Sequence, residues 1–133
     1  MSRNWTEIWA LIEEATPGPI SCSNERSNNV LEDAIIGRKK IWISYDQKDE
    51  FDGLVGTEIY LDRINNLKTM EIFALWAKDS NEDSWESGWE ILGRYAMKEE
   101  CKRIVAYTKH SRILDFIEYH GGDTSFRFCD VPL

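Results

Sequence analysis

The chain has 133 residues, 42% hydrophobic and 30% charged, which fits a single folded domain (1–133) with one core and excludes a disordered or fibrous chain. Its formal net charge of −8 argues against nucleic acid and against an anionic membrane surface as partners, because both need basic patches. No apolar run approaches the ~20 residues of a membrane span, and Met1-Ser2-Arg3-Asn4-Trp5 lacks the apolar core of a signal peptide, so a cytoplasmic, non-secreted protein is expected. The three cysteines, Cys22, Cys101 and Cys129, are widely spaced and form no CxxC pair. His110 and His120 are not placed to join any of them, so reduced thiols and no metal site are expected.

The chain opens on a helical pattern. Trp5, Ile8, Trp9 and Ile12 recur at i, i+3, i+4 and i+7 with acids opposite, and Pro17-Gly18-Pro19 ends the run. Serine and asparagine dominate to Asn29, which reads as a loop or cap. Val30, Leu31, Ala34 and Ile35 then suggest a second helix closed by Gly37. Lys40–Tyr45, Gly53–Leu61 and Thr69–Ala77 read as three strands joined by short polar turns, an antiparallel meander. A helix from about Ser84 to Glu100 follows, with Trp85, Trp89, Leu92 and Ala96 on one face. Arg103–Tyr107 reads as a strand, and the strand–helix–strand order from Thr69 to Tyr107 implies a parallel, right-handed crossover. His110–His120 reads as a fourth helix stopped by Gly121-Gly122, and Thr124–Val131 as a last strand. Met70 and Met97 read as core fillers.

The turn before the third helix, Lys78-Asp79-Ser80-Asn81-Glu82-Asp83-Ser84-Trp85-Glu86-Ser87-Gly88-Trp89, poses a chemical question. Strand-to-helix turns that hold phosphate carry glycines and basic residues, so that backbone N–H groups close on the anion. This one carries Asp79, Glu82, Asp83 and Glu86. Asp83 followed by Glu86 reads as a capping box.

The order helix, helix, three strands, helix, strand, helix, strand resembles the GNAT N-acetyltransferase superfamily, in the style of its small tailed-phage members. The stretches that carry the resemblance are "IWISYDQKDEFDGLVGTEIY", "GRYAMKEECKRIVAY" and "ILDFIEYHGG", within Val30–Val131. The resemblance implies an α/β fold with a mixed sheet, a meander followed by a parallel β-α-β unit, and about four helices. It also implies an acetyl-CoA pyrophosphate held by an Arg/Gln-x-x-Gly-x-Gly/Ala turn at the start of the central helix. Ser80, Asp83 and Trp85 fall on the three key positions of that turn here. An aspartate repels the pyrophosphate and a tryptophan blocks close approach, so no bound cofactor is expected. The family's general-acid tyrosine position falls on Ile117, which has no proton to give. Tyr119 lies nearby, and Glu58 and Glu71 are candidate general bases by location.

The expected function is therefore a non-catalytic GNAT-fold binding or assembly module, phage-encoded, whose partner is a protein, either of the virion or of the host. Asp79, Glu82, Asp83, Trp85 and Trp89 form the expected protein-binding patch, joining large rings to charges. The alternative from another class is an active N-acetyltransferase that uses acetyl-CoA through an atypical site.

Overall fold

The computed structural model describes residues 5–15, 23–78, 82–108, 111–127, 129 and 131, with side chains described for all of these but 23–26 and 82–84. The elements run α1 (Trp5–Ala15), α2 (Ser23–Ile35), β1 (Lys39–Tyr45), β2 (Phe51–Asp62), β3 (Leu67–Ala77), α3 (Glu82–Lys98), β4 (Arg103–Ala106) and α4 (Ser111–Tyr119). The strands lie in the order β1-β2-β3-β4. β1 with β2 and β2 with β3 pair antiparallel, and β4 joins β3 in parallel after the α3 crossover. This is the mixed α/β sheet expected from the alternation of strand and helix periods, with four helices.

Two faces of the sheet carry two cores. On one, Leu54, Phe51 and Ala74 pack under Trp9 and Ile12 of α1, with Ile41, Ile43 and Trp76 around them. Phe51 and Trp76 stack at 5.5 Å, and Trp5 stacks on Trp9 at 6.4 Å. On the other face, Met70 and Ile72 of β3 pack under Leu92 and Ala96 of α3, with Trp42, Val55, Ile59 and Ile104. Residues 92 and 96 are one helical turn apart, so they share one stripe.

Three expectations need correction. α2 begins at Ser23, not near Val30. Serine and asparagine favour caps and turns by bonding nearby backbone, which makes the stretch read as loop. Tertiary contacts override that preference: the Trp5 indole N–H donates to Ser27 at 2.8 Å, and Val30 packs against the α1 core. The described residues of Thr124–Val131 form no strand. Instead Ser125 donates through both its N–H and its hydroxyl to the Asp123 carboxylate, and the Thr124 hydroxyl donates to Glu118, so local side-chain bonds fold the chain back after α4. Met97 is 78% exposed. It follows Ala96 directly and so points away from the buried stripe.

Three helices end the same way. Arg38 N–H donates to the Asp33 carbonyl, Cys101 to Ala96 and Gly122 to Ile117, each a six-residue closure with the preceding residue at positive φ. Gly37 and Gly121 take that position after α2 and α4, but after α3 it is Glu100, at φ 62°.

Candidate functional site

β3 is longer than its parallel partner. Pairing with β4 runs from Thr69↔Arg103 to Ile72↔Ala106 and stops. Phe73–Ala77 continue beyond the last β4 pair. The divergence coincides with a bulge: Thr57 faces Ile72 and Gly56 faces Ala74, so Phe73 is the extra residue. Its ring lies over Gly56, where an added Cβ would stand 2.4 Å from the ring. A side chain at this position would force the Phe73 ring to shift. α3 starts above this splayed end and runs back down the sheet.

The two halves of α3 therefore meet different neighbours. Leu92 and Ala96 sit on the sheet. Trp85 and Trp89, a turn or two earlier, instead meet the ring of Phe116 of α4 edge-on, at 5.9 and 6.2 Å. Trp89 also contacts the His120 imidazole at 5.4 Å, and a His120 ring nitrogen lies 3.1 Å from a Glu86 carboxylate oxygen. Rings and an imidazole–carboxylate contact thus fill the space between the first turns of α3 and the end of α4.

Of the positions that the resemblance assigns to acetyl-CoA, Asp83 and Trp85 lie in the first turns of α3. Asp79 and Ser80 fall outside the described residues, as does His110. The side chains of Glu82 and Asp83 are not described. α3 already includes Glu82, so Asp83 belongs to its first turn rather than to the cap position. Acids in a first turn still complement the helix dipole. The groups described at this end of α3 are Trp85, Glu86 and Trp89, and farther along Arg94 pairs with Glu90. Among the described side chains here, Trp85, Glu86 and Trp89 supply none of the positive charge that a pyrophosphate calls for.

The candidate acid–base residues are elsewhere on the sheet. Glu58 and Glu71 stand directly opposite each other on β2 and β3, and Lys39 of β1 stands opposite Glu58. Lys39 Nζ is 3.5 Å from the Glu58 carboxylate and 2.5 Å from Asp33 of α2. The Tyr107 hydroxyl donates to Glu71 from the end of β4. Burial, and then the Glu58 charge, hold the Glu71 carboxyl above the usual carboxylate range, against the pull of Lys39 and Tyr107. The structure thus brings Glu58 and Glu71 together. Tyr119 does not join them: it is 82% exposed, with its ring against His120. Ile117 is half-buried and packs against Gly122.

Lys39 and Tyr107 are the members of this row that sequence reasoning missed. The sequence reads as strand only from Lys40, one residue too late to include Lys39, and only the register makes Lys39 a neighbour of Glu58. Among the described residues, no three His, Cys, Asp or Glu side chains converge as metal ligands, and no helix is long and apolar enough to cross a membrane.

No protein-family model matches the sequence, and no curated protein matches it. Solved structures do match the fold. An assigned acetyl transferase of Pyrococcus furiosus superposes with a TM-score of 0.70 at 16% identity, covering 97% of this chain and 91% of that one. A GNAT family acetyltransferase of Staphylococcus aureus gives 0.65 at 12% identity, covering 96% and 88%. Glucosamine-6-phosphate N-acetyltransferase of Arabidopsis thaliana gives 0.67 at 10% identity, covering 98% and 95%. The chain has a GNAT-like fold.

Proposed function

We propose that this protein is a GNAT-fold binding module that does not transfer acetyl groups, and that the α3–α4 end of the molecule is its contact surface. The supporting observation is the packing of Trp85 and Trp89 against Phe116, at the start of the helix to which the resemblance assigns the cofactor. Half-buried aromatic rings beside Glu86 and Glu90 make a surface with apolar area for affinity and charge for register. The partner on this reading is a protein, a virion component or a host factor. The discriminating experiment compares two variants in a pull-down or virion-incorporation assay, with folding checked by circular dichroism. Glu82→Lys with Trp85→Ala is expected to weaken capture. Glu58→Gln, Glu71→Gln and Tyr119→Phe together are expected to leave it unchanged. The reverse pattern would overturn the proposal.

A second reading rests on a different observation. Glu71 with a raised carboxyl pKa, opposite Glu58 and bonded by Tyr107, is the kind of perturbed group that acid–base catalysis uses. That reading makes the protein an acetyltransferase with an atypical acetyl-CoA site. It requires measurable acetyl transfer to an amine that Glu71→Gln abolishes.

A further inference from the structure

The face of the sheet opposite Glu58 and Glu71 carries a separate feature. Beside the C-terminal turn of α3 lies an open cavity of about 200 Å³, lined by Arg38, Lys40, Thr57, Tyr95 and Glu99 among others. Strand alternation separates Lys39 from Lys40: Lys39 turns to Asp33 and Glu58, and Lys40 turns to this cavity. Lys40 stands opposite Thr57 in the β1–β2 register.

Lys40 is held by rings rather than by an acid. Its ammonium lies 4.4 Å from the centre of the Tyr95 ring and 5.1 Å from that of Trp42. Those two rings meet edge-to-face at 5.1 Å, and the Trp42 indole N–H donates to the Thr57 hydroxyl at 2.9 Å. The aromatic wall is therefore fixed by its own contacts, and the cation–π attraction orders the lysine stem before any ligand arrives. Arg38 follows Gly37, whose left-handed backbone turns α2 into β1. It is near enough to Asp33 to help lower that carboxyl's pKa, but the stronger hold on Asp33 is the hydrogen bond from Lys39.

Neither Arg38 nor Lys40 makes an ion pair among the described residues. In a chain with 24 acidic and 16 basic residues, two cations outside any ion pair among the described residues, with Asp33 acting on Arg38 only at longer range, leave a local positive field beside one concavity. Glu99 is the one acid on the cavity wall, and it opposes that field. Guanidinium and ammonium together suit an oxyanion: the planar fork binds two oxygens, and the compact ammonium adds a point charge.

We propose that this cavity binds a small oxyanion, a phosphate or carboxylate group, between Arg38 and Lys40. The site is distinct from the α3–α4 surface and from the Glu58–Glu71 row, and it does not depend on the function proposed for either.

The test is a ¹H–¹⁵N NMR titration of the whole protein with inorganic phosphate and with acetate, each against chloride at matched ionic strength. Saturable shifts are expected at Gly37, Arg38, Lys40, Thr57 and Tyr95, and the anion that saturates at lower concentration identifies the group recognised. Lys40→Met keeps an apolar stem over the rings and removes the charge, and it should weaken binding about tenfold, the lower end of what one hydrogen bond to a charged group contributes. Glu99→Gln should tighten it. A spectrum otherwise superimposable on that of the unaltered protein establishes that each variant is folded. Equal shifts with chloride, or a Lys40→Met protein that titrates like the unaltered one, would overturn the proposal.

Discussion

The two halves of α3 were written in one amphipathic pattern, yet they do different work. Leu92 and Ala96 close the core over Met70 and Ile72, where β3 and β4 are paired. Trp85 and Trp89 meet the Phe116 ring of α4 instead and are not part of the core over the sheet. One helix thus holds the fold at its C-terminal end and shapes a surface at its N-terminal end.

Breaking the lower half should cost most. Leu92 is 7% exposed, so Leu92→Ala is expected to destabilise by about 2–4 kcal/mol, from lost burial plus the cavity left behind. Trp85 is only half-buried, and Trp85→Ala is expected to cost about 1–2 kcal/mol despite removing a larger side chain. Denaturant unfolding of both variants measures the difference. If Trp85→Ala cost more than Leu92→Ala, the upper half would be core and the division drawn here would be wrong.

The C-terminal end of α3 offers a gain instead of a loss. Glu100 occupies the left-handed position that Gly37 and Gly121 fill after the other two helices. A residue with a Cβ is strained there, so Glu100→Gly is expected to stabilise by about 1 kcal/mol. Thermal unfolding checks it, and the α3–α4 surface should be unaffected.

A smaller effect concerns the polar row that crosses the sheet beside the last β3–β4 pair. Because the folded pKa of Glu71 is raised, its charged form is disfavoured in the native state. This lowers stability at neutral pH, and the lost stability returns as pH falls through the folded value. Glu71→Gln is therefore expected to be more stable than the unaltered protein near neutrality, with the advantage shrinking on acidification. Asp33, Asp46, Asp62 and Asp123 have the opposite sign, because hydrogen bonds lower their pKa values. Both proteins share that acid loss, so the difference between them isolates Glu71.

Element order as far as α4 and the pairing of β1 to β4 were legible in the sequence because long periodic runs and polar turns mark them, whereas the last strand expected over Thr124–Val131 is absent among the described residues. Trp5–Ile12 and the meander needed no tertiary information. α2 was not legible from Ser23 to Asn29, because the contact that stabilises it comes from Trp5, 22 positions before Ser27. The row joining Lys39, Glu58, Glu71 and Tyr107 was only half legible. Glu58 and Glu71 could be placed on strands, but their facing depends on register, and the bulge at Phe73 shifts that register. The split of α3 could not be read at all. Trp85, Trp89, Leu92 and Ala96 share one face, and nothing in their spacing says where β4 ends.

The central claim is that the upper half of α3 is built for contact and not for a cofactor. Calorimetric titration of the purified protein with acetyl-CoA tests it most directly. Indoles packed on Phe116 and carboxylates at the helix start should allow no binding tighter than millimolar; a micromolar dissociation constant would contradict the account and make the acetyltransferase reading the better one.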